Sequence, residues 1–208
     1  MKINDTSFIK LFALITMIID HIGVVFFPSN LIFRIIGRVS FPLFAYSTFI
    51  GYKKTSDLKK YMFRMLVFGV ITQPIYMTLF NKGIFDFNIM FTLFFELCLL
   101  YLFDKKKYLI IPFVYVLLYF LNINYSYQIM FLVPIFYYLS NNLIYYSLSF
   151  LLMNVILLLN SEFLNIFSIF ALPFMFIKTN IKIYINKWFY YVMYPGHLLI
   201  FYLIKVLL

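Results

Sequence analysis

The chain has few of the residue types that a soluble enzyme uses freely. Charged residues make up 12% of its 208 residues, against about 25% in ordinary soluble domains. It has two histidines and one cysteine, so an intrachain disulfide is excluded and we expect no metal site. Hydrophobic residues make up 65%, and the mean hydropathy is +0.97. This composition excludes a soluble domain and predicts an integral protein of the lipid bilayer.

Long apolar runs predict spanning helices, because the short alternating segments of an outer-membrane barrel are absent. No soluble segment is long enough to bind nucleic acid, although the net charge is +10. We therefore predict an all-α, polytopic transmembrane bundle of about nine spans, forming a single domain over residues 1–208. The predicted spans lie near residues 7–27, 31–50, 61–80, 88–103, 108–121, 127–140, 143–160, 163–178 and 188–207. The divisions between residues 104 and 165 are the weakest, and a re-entrant or merged pair is the alternative there.

Positive charges predict the orientation of these spans. With a cytoplasmic amino terminus, the cytoplasmic segments hold most of the cations, as the positive-inside rule requires. They are Lys2, Lys10, Lys53, Lys54, Lys59, Lys60, Arg64, Lys105, Lys106, Lys107, Lys178, Lys182 and Lys187. The other side holds Lys82 near Asp86, a loop with Glu162, and Lys205. We expect a cytoplasmic (inner) membrane protein whose carboxyl terminus lies outside. Its first apolar run lacks a small-x-small cleavage site, so we interpret that run as a retained span.

Several ionisable residues interrupt the apolar runs, where they usually have a partner or a function. They are Asp20, His21, Arg34, Arg38, His197 and Glu96. Asp20 and His21 lie about two-thirds of the way along the first predicted span, and His197 lies near the middle of the last. We therefore expect these three residues to share a common depth. Each histidine taken alone is more often structural, but their coincidence with a carboxylate and two arginines favours a functional site.

Arg34 and Arg38 are four residues apart, so on one helix their guanidinium groups project from the same face. They can hold a phosphate or pyrophosphate, or neutralise Asp20 across the short turn at Pro28. In the second case, one arginine is expected to remain unpaired by protein, which favours an anionic ligand. Asp20 and His21 point about 100° apart on a helix. We therefore expect Asp20 to contact the arginines or His197, and His21 to face a cavity.

These residues lie in strings that are similar to the TraX family of membrane acetyltransferases. The strings are LFALITMIIDHIGVVFFP, FRIIGRVSFPLFAYSTFIGYKKT, KKYMFRMLVFGVITQPIY, NIMFTL and KWFYYVMYPGHLLIFYLI. The resemblance is dense over about the first 95 residues and the last 20, and elsewhere only the hydropathy matches. The DH, IGR, FP and YPxH elements are individually weak but fairly specific in this order.

The resemblance implies acetyl transfer from acetyl-CoA to the amino terminus of a membrane-inserted pilin, or to another peptide or a glycan. It assigns Asp20 and His21 to the DH element, Arg34, Gly37 and Arg38 to the RIIGR element, and His197 to the YPxH element. We expect His197 or His21 to act as general base, with Asp20 as its electrostatic partner. The arginines would bind the CoA phosphates or the thioester oxyanion. Alternatively, the phosphates would bind Lys59, Lys60 and Arg64, which form a basic rim at the cytoplasmic end of the predicted bundle.

Two other functions fit the same residues. A proton- or ion-coupled transporter also uses intramembrane Asp, His and Arg, and it predicts uptake that depends on pH or membrane potential. A non-catalytic membrane assembly partner predicts that His21 and His197 tolerate substitution. We rank acetyl transfer first, transport second and assembly third.

Overall fold

The structure is a computed structural model that describes residues 6–121, 123–159, 163–176 and 185–207. Within these ranges the chain forms helices and short loops, with no strand. The α-helices are α1 (Ser7–Phe26), α2 (Leu31–Gly37), α3 (Ser40–Lys54), α4 (Leu58–Phe80), α5 (Ile89–Asp104), α6 (Ile111–Phe120), α7 (Ser126–Pro134), α8 (Leu143–Leu159), α9 (Leu172–Phe176) and α10 (Lys187–Leu207). A π-helical segment, Ile135–Leu139, continues α7, and a 3₁₀ helix, Phe163–Ala171, precedes α9. The predicted positions of Lys2, Glu162, Lys178 and Lys182 lie outside the described residues.

The helical fold class and the membrane character are confirmed. Three helices are long and apolar enough to cross a membrane, namely Ser7–Phe26, Leu58–Phe80 and Trp188–Leu207. Four shorter apolar helices cover further predicted spans, namely Ile111–Phe120, Ser126–Leu139, Leu143–Leu159 and Phe163–Phe176. The region between residues 104 and 165, where the predicted divisions are weakest, contains three separate α-helices. The count of nine crossings and the orientation stay predictions.

One predicted segment, residues 31–50, is not a single helix. Helix α2 ends at Gly37, and α3 begins at Ser40 after a turn at Arg38 and Val39. The last turn of α2 tightens, since the Arg38 amide donates to the carbonyls of Arg34 and Ile35. Two residues explain the break: Gly37 has low helix propensity, and Pro42 has no amide to continue an earlier helix but fits the first turn of a new one. Arg34 and Arg38 therefore do not lie on one continuous helix, as the four-residue spacing predicted.

Asparagine and aspartate side chains set the start of three helices. Asn30 Oδ1 accepts a hydrogen bond from the Ile32 amide at 3.1 Å, at the start of α2. Asp57 Oδ1 accepts from the Lys60 amide at 3.0 Å before α4, and Asn88 Oδ1 accepts from the Met90 amide at 3.0 Å before α5. Such caps satisfy amides that have no partner within the helix. Residues that break the hydropathy pattern thus also fix where the next helix begins.

The contacts divide the chain into two compact units. The first unit comprises Met1–Ile50 and Pro134–Asn186. In it, α1 packs against α2, and the Phe12 ring stacks on Phe174 with centroids 4.2 Å apart. Aromatic side chains fill its core, including Tyr46, Phe49, Phe136, Tyr146 and Phe150.

The second unit comprises Gly51–Val133 and Lys187–Leu208. Helix α4 packs against both α5 and α10. The Phe68 and Tyr191 rings stack 5.2 Å apart, and Lys205 Nζ donates to the Leu79 carbonyl at 3.3 Å. Because residues early in α4 meet residues early in α10, and late residues meet late ones, these two helices run parallel. Each unit therefore holds one part of the predicted site: the DH and RIIGR elements in the first, and the YPxH element in the second.

Candidate functional site

Asp20 is the centre of a buried charged cluster in the first unit. The residue lies on α1 and is 6% exposed. Arg34 Nη1 donates to its Oδ2 at 2.7 Å, and Arg38 Nη2 lies 4.0 Å from its Oδ1. Burying a carboxylate is costly unless it is paired, and the two guanidinium groups supply that compensation. The prediction that Asp20 contacts the arginines is confirmed.

Two glycines bring α1 and α2 close enough for this ion pair. A Cβ on Gly37 would lie 2.1 Å from Asp20 Oδ1, and a Cβ on Gly23 would lie 2.3 Å from Phe33 Cβ. Neither position has room for a methyl group, so both glycines are required by close packing. Gly37 also ends α2, and so it sets the position of both arginines. Gly23 does not loosen α1, because the helix continues unbroken to Phe26.

Arg38 has a protein partner, contrary to the expectation that one arginine would remain unpaired. Its Nη1 donates to Asn165 Oδ1 at 3.3 Å, and Asn165 is 5% exposed on the 3₁₀ helix. Asn165 is 127 residues away in the chain, so sequence spacing did not indicate it. One sequence feature could have indicated Asn165: it is a polar residue in the apolar run FLNIFSIF, three residues before Ser168. Ser168 Oγ in turn donates to Asn154 Oδ1 at 2.6 Å.

His21 follows Asp20 on α1 and is partly buried. Because α1 is regular at this point, the two side chains point about 100° apart. The Asp20 side chain points to Arg34, in the last turn of α2, and to Arg38, which follows α2. The prediction that His21 faces a cavity stays a prediction. Arg34 is the more accessible arginine of the cluster, with 28% of its side chain exposed against 9% for Arg38.

His197 lies on α10 in the second unit and is 4% exposed. Its Nδ1 lies 2.7 Å from the Met193 carbonyl oxygen. A carbonyl accepts hydrogen bonds but cannot donate them, so this contact places a proton on Nδ1 and leaves Nε2 as the basic nitrogen of the neutral ring. The rings of Tyr194 and Phe201 flank the imidazole at 5.8 Å and 5.6 Å. This arrangement fixes both the tautomer and the orientation of the imidazole.

In the same unit, a network of hydrogen-bonded polar side chains fixes two loops, the one between α4 and α5 and the one before α7. Gln73 Nε2 donates to the Asp86 carbonyl at 2.8 Å, and Asn88 Nδ2 donates to Gln73 Oε1 at 2.8 Å. Asn124 Nδ2 donates to the Tyr76 hydroxyl at 2.7 Å. Because each amide links two segments, these bonds hold α4, α5 and the loop before α7 together. The sequence pattern did not indicate a role for these amides, which are polar interruptions of apolar segments.

Arg64 lies near the start of α4, between two tyrosine rings. Its guanidinium carbon is 5.7 Å from the Tyr61 ring centroid and 5.9 Å from that of Tyr191. Cation–π contacts of this kind hold the side chain in place while its charge is retained. Lys59 and Lys60 are exposed nearby, and Lys60 pairs with Asp57 at 3.1 Å. The predicted basic rim therefore combines one anchored arginine with exposed lysines.

Comparison with known proteins identifies the family. The sequence model described as TraX protein matches residues 5–205, nearly the whole chain. The chain belongs to the TraX family.

Two curated proteins share shorter regions with this TraX-family chain. One is the uncharacterized protein RP591 of Rickettsia prowazekii (strain Madrid E), which is 36% identical over 105 residues, covering 50% of this chain and 40% of that protein. The other is the probable fimbrial assembly protein FimC, serogroup H1, of Dichelobacter nodosus, which is 33% identical over 72 residues, 33% of this chain and 30% of that protein. The matches thus span less than half the length of either relative. No solved structure matches the TraX-family chain significantly.

Proposed function

We propose that this protein is a multi-pass inner-membrane acetyltransferase that uses acetyl-CoA. Its acceptor is an amine, such as a pilin-like or other peptide amino terminus, with a glycan as the alternative. Membership of the TraX family supports this activity, and similarity to a protein named for fimbrial assembly supports a link to pili. The observation that carries the proposal is the buried cluster of Asp20, Arg34 and Arg38, because the DH and RIIGR elements of the resemblance supply all three residues.

The reaction needs a base. A neutral amine nitrogen attacks the thioester carbonyl carbon, the carbon–sulfur bond breaks, and the CoA sulfur leaves as a thiolate that takes up a proton. The attacking nitrogen loses its proton to a base, a role for which neutral imidazole is suited. His197 is the first candidate, since its bond to Met193 leaves Nε2 to accept a proton. His21, beside the charged cluster, is the second candidate.

The reaction also needs cations for two anionic groups, the thioester oxyanion and the CoA phosphates. We assign the oxyanion to Arg34 and Arg38, whose charges exceed that of the one carboxylate between them. We assign the phosphates to Arg64, Lys59 and Lys60, since the proposed orientation places this rim in the cytoplasm, where acetyl-CoA is found. The alternative places the phosphates on Arg34 and Arg38. Charge reversal separates the two assignments: Lys59→Glu with Lys60→Glu weakens CoA binding under the first, and Arg34→Glu weakens it under the second.

The direct test is transfer of labelled acetyl from acetyl-CoA by the purified protein in lipid nanodiscs. Acceptors are a peptide with a free amino terminus, the same peptide with a blocked amino terminus, and a glycan. We expect label on the free amine, with a rate that falls by about 10² to 10⁴ when the catalytic histidine is replaced by glutamine. His197→Gln and His21→Gln are compared in parallel. If both variants transfer acetyl at the full rate, a histidine base is excluded.

A further inference from the structure

Glu96, in the middle of α5, is the most completely buried ionisable group among the described residues. Its exposed fraction is 0%, and neither Oε1 nor Oε2 has a hydrogen-bond partner there. No cation of the described chain lies within ion-pair distance, 4.0 Å, of it. Asp20, by contrast, has Arg34 and Arg38. A bare carboxylate in such a place is very unfavourable, so the group needs a bound proton or cation.

No described residue of the neighbouring helices forms an ion pair with Glu96. On α10, His197 Nδ1 contacts the Met193 carbonyl oxygen and Lys205 donates to the Leu79 carbonyl. Helices α6 and α7 contain no charged residue. On α4, the residue placed to approach Glu96 is Arg64, since α4 and α5 are antiparallel and meet at Gly69 and Phe91. Arg64, however, is turned to the rings of Tyr61 and Tyr191.

Two tyrosines on these elements have contacts elsewhere. The Tyr115 hydroxyl on α6 donates to the Met130 carbonyl at 3.0 Å. Tyr61 on α4 lies against Gly51 and Arg64. The cations Lys59 and Lys60 of α4 are exposed at its start. The neighbours of Glu96 along α5, Leu97, Leu99 and Leu100, are each 0% exposed as well.

A second buried acceptor without a hydrogen-bond donor in the described chain, the side-chain oxygen of Gln128, lies near the start of α7 in this unit. The Thr92 hydroxyl on α5 donates to the Asn124 carbonyl at 2.5 Å, and the Asn124 amide donates to the Phe87 carbonyl at 3.2 Å. These bonds place the starts of α5 and α7 side by side, so the two helices leave from the same end. Glu96 lies one turn beyond Thr92, about 6 Å along α5, and Gln128 lies in the first turn of α7, which begins at Ser126. Gln128 is 2% exposed, and its Oε1 has no hydrogen-bond partner among the described residues.

Three buried side-chain oxygens of this unit, the two of Glu96 and Oε1 of Gln128, thus have no hydrogen-bond donor among the described residues. A proton on Glu96 removes the charge and converts one of those oxygens into a donor. We propose that Glu96 is a reversible proton-binding site of the second unit, at which the carboxyl is carried as the neutral acid. This inference does not rest on acetyl transfer, and it adds a site that the DH, RIIGR and YPxH elements do not include.

The test is labelling of the intact protein with dicyclohexylcarbodiimide, an apolar reagent that reacts with protonated carboxyl groups. The acid proton adds to a carbodiimide nitrogen and the carboxyl oxygen bonds to the central carbon, so no further reactant is needed. Peptide mapping by mass spectrometry then locates the label. We expect it on Glu96, in excess over Asp57, Asp86, Asp104 and the ion-paired Asp20. Labelling should fall by about tenfold per pH unit once the pH exceeds the point at which the proton dissociates.

Two controls make the result decisive. Glu96→Gln removes the label from this peptide while keeping the shape and the neutral charge of the proposed acid. Sodium or methylammonium chloride, added at constant ionic strength, leaves the labelling unchanged if a proton occupies the site. Protection by either cation would overturn the proposal in favour of a cation site. Absence of label on Glu96 across the pH series, with the unfolded protein labelled there, would overturn it as well.

Discussion

The two buried carboxyl groups among the described residues have opposite surroundings. Asp20, in the first unit, is held by Arg34 at 2.7 Å, with Arg38 at 4.0 Å. Glu96, in the second unit, is fully buried and has no cation within ion-pair distance in the described chain. In the first environment two cations offset the cost of burying the charge, and in the second no described cation does. The difference shows that burial alone does not predict the role of an intramembrane acid, because that role also depends on the charged groups paired with it.

The largest effect on stability is expected from breaking the charged cluster. Arg34→Gln leaves Asp20 buried with only the more distant Arg38, which should cost about 3 kcal/mol in free energy of unfolding. The double variant Asp20→Asn with Arg34→Gln should recover part of that loss, since the buried carboxylate is then removed while Arg38 keeps its hydrogen bond to Asn165. Denaturant titration in detergent micelles measures both. Additive losses in the double variant would show that the pair is not coupled.

A smaller effect is expected from Gly37, which allows Asp20 to approach α2. Gly37→Ala places a methyl group 2.1 Å from Asp20 Oδ1, so the carboxylate must move. We expect a loss of about 1–3 kcal/mol, as for other overpacked sites, together with loss of acetyl transfer. Gly196→Ala is the matched control, because its Cβ meets nothing within 4 Å. An alanine there should be neutral or stabilising in the helix. Equal effects of the two variants would contradict the packing argument.

Neutralising Glu96 should have a much smaller effect than disrupting the Asp20 cluster. Glu96→Gln replaces a neutral acid with a neutral amide of nearly the same shape, so the change in unfolding free energy should stay below about 1 kcal/mol. Unfolding of this variant and the parent is compared at the same pH. A loss as large as that of Arg34→Gln would mean that Glu96 is charged in the folded protein.

The smallest effect concerns an acid outside the predicted spans. The Lys60 amide and ammonium lower the pKa of Asp57, which caps α4. A lowered pKa contributes stability that is present above the ordinary value of 3.8 and is lost as the pH falls through the folded value. We therefore expect the first turn of α4 to fray only in acid. Hydrogen exchange of the Lys60 and Tyr61 amides as a function of pH measures this, and Asp57→Asn, which keeps the cap, should abolish the pH dependence.

The sequence alone was sufficient to predict the helical fold class and some of the contacts in the charged cluster. The short turn at Pro28 returns the chain onto α1, so pairing of Asp20 with an arginine was predictable. The break after Gly37 was not predicted, because residues 31–50 are mostly apolar and neither Gly37 nor Pro42 alone excludes a continuous helix. The hydrogen bond between Arg38 and Asn165 could not be predicted, since one sequence does not show which distant segments pack together. The complete burial of Glu96 was equally hidden, because hydropathy does not distinguish the inner face of a bundle from the lipid-facing one.

The most direct test compares the two acids in one acetyl-transfer assay. Asp20→Asn and Glu96→Gln are purified alongside the parent chain, their folding is verified by thermal unfolding, and initial rates are measured with labelled acetyl-CoA and an amine acceptor. We predict that Asp20→Asn lowers the rate by about 10² or more, since the arginines lose the charge that positions them, while Glu96→Gln keeps the parent rate. A full rate for a folded Asp20→Asn variant would contradict the assignment of the Asp20 cluster to acetyl transfer.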